Sequence, residues 1–173
     1  MKDLKQNKAG YYNSDQCNLA EFQEIIKQKL TEDMVPNAFE VDKNVPIYNI
    51  SELQGVFLNN ELKSELMAEW AWVLRESSGA IVLRNAYQDT SIIDEATELY
   101  EGIIADEKLK SGGGADHFAA AGANDRIWNS LQKLCESSPD TFLRYFANVA
   151  IQTACEAWLG PNYQMTAQVN LVH

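Results

Sequence analysis

The stretch Tyr163-Gln-Met-Thr-Ala-Gln-Val-Asn-Leu-Val-His173 decides how this chain is read. Alternation puts Met165, Ala167, Val169 and Leu171 on one side and Thr166, Gln168 and Asn170 on the other, the period of a β-strand. It follows a long helical region and no strand comes after it, so it reads as the first strand of a sheet whose remainder is missing. Its polar face is either solvent-exposed or lines a polar cavity.

Immediately upstream, Ser138-Pro139-Asp140 is a helix cap followed by proline at the first helical position. Phe142, Tyr145, Phe146, Val149, Ala150, Ala154 and Trp158 then predict a single helix ending at Gly160-Pro161. Before it, Ile127, Trp128, Leu131, Leu134 and Cys135 predict another helix, opened by Asn124 or Asp125. The segment from Ser111 to Ala123 contains four glycines and one charged residue, Asp116, and reads as a loop. It lacks the Lys-Ser/Thr pair of a nucleotide loop and the G-x-G-x-x-G of a dinucleotide loop. A plain connection and a flap over a substrate site both fit it. Within it His117 could be a base, a metal ligand or a substrate hydrogen-bonding group. Arg126, just after the loop, could anchor a carboxylate or sit on a helix surface, with Trp128 packing beside it.

In the first half, Asn18 and Glu21 form a capping-box start for a helix whose apolar stripe is Leu19, Phe22, Ile25, Ile26 and Leu30. That stripe must pack on something. Thr31 to Leu53, with Pro36 and Pro46, reads as an extended connection. A helix from Asn60 carries Leu62, Leu66, Met67, Trp70, Val73 and Leu74 and stops at Ser77-Ser78-Gly79. Ala80-Ile-Val-Leu83 suits a short buried strand. Ser91 and Asp94 open a helix whose face, Ile92, Ala96, Leu99, Tyr100, Ile103 and Ile104, would cover that strand.

The 173 residues fit one domain, spanning 18–173 after a polar, disordered segment 1–17. The net charge of −11 opposes binding to nucleic acid and to anionic membrane surfaces. There is no apolar run long enough to span a bilayer and no signal-peptide core, so the chain reads as cytoplasmic. Cys17, Cys135 and Cys155 form no C-x-x-C pair, and the latter two read as small buried hydrophobes.

Three pieces, Gly79-Ala-Ile-Val-Leu-Arg-Asn85, Ala115-Asp-His-Phe118 followed by Arg126-Ile-Trp128, and Leu159-Gly-Pro-Asn-Tyr163 leading into Ala167-Gln-Val-Asn170, together resemble the phytanoyl-CoA dioxygenase family. The resemblance covers roughly residues 45–173. Its members are non-haem Fe(II) and 2-oxoglutarate-dependent oxygenases, so it implies the N-terminal part of a hydroxylase acting on a small organic substrate. In that family the chain continues into a His-x-Asp loop and a later histidine, which together bind iron. Here His117 is followed by Phe118-Ala119 and His173 is the last residue, so no His-x-Asp is present. The family's double-stranded β-helix, a jelly roll, needs about eight strands.

The expected fold is therefore α+β and mainly helical: an N-terminal helical layer plus the first strands of an incomplete jelly roll. The resemblance implies that Gln168 and Asn170 hydrogen-bond substrate or co-substrate, and that Asp116 and His117 lie near the pocket mouth. Fe(II) and 2-oxoglutarate are expected of a complete family member. No cofactor, metal ligand or catalytic residue is expected of this chain alone. Its expected partners are a missing C-terminal half or a second copy joined through the exposed edge of Gln164 to Val172. The alternative is a non-catalytic helical protein-interaction module.

Overall fold

Helix α1 (Leu19–Ile25) opens where its spacing predicts: the Asn18 side chain accepts from the backbone N–H groups of Ala20 and Glu21. The computed structural model describes residues 14, 17–111, 124–166 and 168–172, with the backbone alone at 111, 124–126 and 168–172. The expectation for 1–17 falls almost wholly outside these residues. The chain is α+β and mainly helical.

The first correction concerns Thr31 to Leu53, which is structured and not a plain connection. A 3-10 turn (Glu32–Met34) leads into β1 (Glu40–Asp42) and β2 (Val45–Asn49), which pair antiparallel with Asp42 opposite Val45. The two residues between them, Lys43 and Asn44, have φ of 48° and 72°, the left-handed pair of a tight hairpin turn. Asn44 also accepts from the Leu30 N–H at 2.7 Å and donates to the Gln28 carbonyl at 2.9 Å, so this turn holds the chain leaving α1. Pro46 is tolerated in the central strand because β3 pairing begins only at Ile47.

After a short α2 (Gln54–Phe57), α3 (Asn60–Glu76) begins one residue past its cap. Asn59, not Asn60, accepts from Glu61 and Leu62 N–H. The helix ends as the sequence predicts, with Gly79 at φ 71° donating its N–H to the Val73 carbonyl. Strand β3 (Val82–Arg84) then pairs parallel with β2, closing a β-α-β unit. It is shorter than expected and is not buried: Val82 is exposed and Leu83 half-buried, because β3 is an edge strand.

The interior of α3 decides the first core. Leu66, Trp70 and Val73 recur at helical spacing and are completely buried. Burial of Leu66 and Val73 contributes roughly 1.5–3 kcal/mol each. Leu66 and Trp70 pack with Tyr48, Ile50 and Ala150, so β2, α3 and the last helix share one core.

A second core forms around α4 (Ser91–Ser111). Its buried face, Ala96, Tyr100 and Ile104, meets Ile127 and Leu134. The helix therefore packs chiefly on α5, α6 and β4 rather than covering β3 as the sequence suggested. Two further corrections lie here. Asn124–Trp128 is a strand, β4, and the helix expected there, α5 (Ser130–Ser137), starts only after Asn129 turns the chain at φ 54°. The single helix expected from Ser138 to Gly160 is two, α6 (Pro139–Phe146) and α7 (Val149–Leu159). Ser138 caps the first, as predicted. Asn148 caps the second by accepting from Ala150 and Ile151 N–H, and it donates to the Ala86 carbonyl at 2.8 Å. That tether fixes the break between them.

Strand β5 (Gln168–Val172) has a partner, and the partner precedes it: β4 and β5 pair antiparallel from Asn124↔Val172 to Trp128↔Gln168. The sequence suggested no strand following β5; its pairing with the earlier β4 takes one of its edges. Among the described residues the sheets are one of three strands, β1-β2-β3, and one of two, β4-β5. None of their helices is long and apolar enough to cross a membrane.

Candidate functional site

The β4–β5 register brings together four residues that the sequence marked, two on each strand. Arg126 lies opposite Asn170 and Trp128 opposite Gln168, whereas Ile127 lies opposite Val169. Alternation puts the first two pairs at positions on one face of the ribbon and the Ile127 pair on the other. Ile127 is fully buried against α4 and α5, which makes its face the inner one; Trp128, on the other, is 57% exposed. The polar positions thus belong to the face turned away from the helical core. Asp116 and His117 lie outside the described residues, in the segment joining α4 to β4.

Among the described residues no three His, Cys, Asp or Glu side chains converge, and both histidines of the sequence lie outside them. The residues described do not fit a His/carboxylate iron centre.

Next along the chain from the ribbon is an aromatic cleft of about 200 Å³ between α6, α7 and the segment entering β5. Tyr87, Tyr145, Phe146 and Tyr163 supply its rings, with Met165 and Cys155 beside them. The Tyr87 hydroxyl donates to the Tyr145 carbonyl at 2.6 Å, which fixes its ring nearly parallel to that of Tyr145, centroids 6.5 Å apart. Phe146 meets Tyr145 edge-on at 4.9 Å. Burial, then the neighbouring Tyr145, raises the Tyr87 pKa; burial, then Cys155 and Glu156, raises that of Tyr163. These phenols stay neutral at physiological pH. On the rim Gln152 donates to Glu156 at 3.0 Å, and Glu156 is held from α3 by Lys63 at 3.1 Å.

Sequence reading missed this cleft because Tyr145 and Phe146 looked like core residues of an unbroken helix. Asn148 before Val149-Ala150 was the available signal, since asparagine is a preferred cap and its presence marks a break. Cys135 and Cys155 are half-buried rather than fully buried.

Elsewhere a shallow groove of about 1040 Å³ runs past the end of α1, by Ile26, Leu30, Val41 and Lys43. The stripe that opens α1 does not find cover among the described residues: Leu19, Phe22, Ile25 and Ile26 are exposed, and only Leu30 is buried, against Val35 and Val73.

Compared with protein-family models, with curated proteins and with solved structures, the chain matches none.

Proposed function

We propose that this chain is the helical scaffold and opening strands of a jelly-roll fold of the Fe(II)/2-oxoglutarate-dependent oxygenase type, inactive alone, with the β4–β5 ribbon as one wall of a substrate pocket. The observation that carries this reading is the register: Arg126, Asn170 and Gln168 occupy one face while Ile127 anchors the other on α4 and α5. An arginine and two carboxamide residues at positions on one face are residue types suited to a dicarboxylate such as 2-oxoglutarate. The small-molecule substrate would lie over the same face, and the loop carrying Asp116 and His117 would border it. A cytoplasmic location and a partner on the open strand edge belong to the same reading.

The test is titration of the isotope-labelled chain with metal-free 2-oxoglutarate, followed by nuclear magnetic resonance. The expected result is graded shifts of the Arg126, Gln168 and Asn170 amides that Arg126→Gln abolishes. Shifts that persist in Arg126→Gln, or none at millimolar ligand, reject the pocket wall.

A second reading, a non-catalytic helical interaction module, rests on the uncovered stripe of α1, where Leu19 is 70% and Phe22 57% exposed. Sedimentation equilibrium tests it with the chain itself as partner. Self-association lost in Phe22→Ser with Ile26→Ser supports the stripe as a contact surface, and an unchanged association constant rejects it.

A further inference from the structure

We propose that the aromatic cleft between α6, α7 and the segment entering β5 is a binding site for a quaternary ammonium group of the choline type. Four rings line a space of about 200 Å³, and none of the described residues lining it is basic. Tyr145 shows one orientation to Tyr87, 23° from parallel, and the opposite one to Phe146, at 89°. The rings lining the cleft therefore lie in more than one plane. A trimethylammonium group has no N–H to donate, so it needs no hydrogen-bond acceptor; its charge is spread over methyl groups that ring faces attract.

Electrostatics select the sign of the ligand. Gln152, on the rim, carries the Glu156 carboxylate on its amide. Lys63 pairs with that carboxylate from α3, and neither residue of the pair lines the cleft itself. The net charge of −11 adds a long-range field that draws cations and opposes anions. A carboxylate ligand would find no cation among the described residues of the cleft. This site is thus separate in chemistry from the dicarboxylate surface proposed for the ribbon, and either can fail alone.

The fixed hydroxyl of Tyr87 and the ring contacts of Tyr145 with Tyr87, Tyr100 and Phe146 tie these two side chains to their surroundings, whereas Tyr163, half-buried like them, sits on the segment entering β5. Tyr163 is therefore the position to change without disturbing the core.

The experiment titrates the full chain with choline and, separately, with the neutral isostere 3,3-dimethylbutan-1-ol, by calorimetry and by the proton resonance of the methyl groups. Choline should bind roughly tenfold more tightly than the isostere, and its methyl signal should move upfield under the rings. Tyr163→Phe should keep this preference and Tyr163→Leu should lose it, with circular dichroism unchanged in both. Equal affinity for the two ligands, or a preference that survives Tyr163→Leu, overturns the proposal. A parallel arm measures co-sedimentation with phosphatidylcholine vesicles. Co-sedimentation that free choline displaces supports a lipid headgroup as the source of the ammonium. Choline binding without co-sedimentation supports a soluble source. Absence of binding in both arms overturns the site.

Discussion

Tyr48 donates its phenol proton to Glu69 Oε1 at 2.8 Å, while Asn37 holds Oε2 through its side-chain amide at 2.7 Å and its backbone N–H at 3.3 Å. One carboxylate on α3 thereby ties down both β2 and the segment entering β1. Tyr48 is fully buried with its ring edge-on to Trp70, so its hydroxyl has no water to turn to. Tyr48→Phe removes one bond and leaves Glu69 its Asn37 contacts, a loss of about 1–2 kcal/mol. Glu69→Ala strands the buried hydroxyl and should cost more, roughly 2–3 kcal/mol. Urea unfolding measures both, and the reverse order would refute this account of the clamp.

The same hydroxyl sets the alkaline limit. Burial, and then the charge of Glu69, push the Tyr48 pKa far above the phenol range, and burial with Tyr145 beside it pushes Tyr100 up to about 12. Both are neutral in the folded chain at a pH where the unfolded chain would ionise them near 10. Their contribution is complete below pH 10 and is lost as pH rises toward the folded values. An absorbance titration should show these two ionising only together with unfolding. Ionisation of all seven tyrosines near pH 10 with the fold intact would contradict it.

At the acid end the sign reverses. The hydroxyl of Thr141, and then Arg144, hold the Glu95 carboxyl below its ordinary value, while Gln152, and then Lys63, do the same for Glu156. Each contributes stability above the unfolded value of 4.5 that is lost as pH falls through the lower folded value. The urea midpoint should fall as pH drops below about 4.5. Thr141→Val should flatten that dependence; an unaltered slope would show that the Glu95 contact is not its source.

Asn148 joins two tasks, capping α7 and holding the Ala86 carbonyl. Asn148→Ala should cost about 1–2 kcal/mol, within the range for lost caps. Asn148→Asp keeps the cap but turns a carboxylate toward that carbonyl, so it should recover only part. Thermal unfolding checks both, and full recovery by aspartate would show that the tether contributes nothing.

The parts of this fold that could be read in advance are those where one local signal dominates. The α3 pattern of Leu66, Trp70 and Val73, the Asn18 and Ser138 caps, and the Gly79 and Gly160 stops all act within a few residues and appear as expected. Pairings between distant segments were not readable. The turn at Lys43-Asn44 carries no glycine to announce it. Asn124–Trp128 is a strand only because Gln168–Val172 lies against it, and Ile127 and Trp128 fit a helical period equally well. In the candidate site, Gln168, Asn170 and Arg126 were singled out, but their meeting required the register. Tyr87 was not singled out, because only the tertiary position of Asn148 and Ala86 places it beside Tyr145.

The β4–β5 pairing also dictates an order of assembly. Its two strands are separated by the whole of α5, α6 and α7, so the ribbon joins only after a long chain closure that the helices shorten by forming first. Hydrogen exchange should therefore find α3, with its buried tryptophan packed between β2 and α7, among the slowest segments, and the ribbon among the first to open. A surface built on such a late-forming element can separate from the helices without global unfolding, which gives it the freedom to be remodelled by whatever strand or ligand meets it.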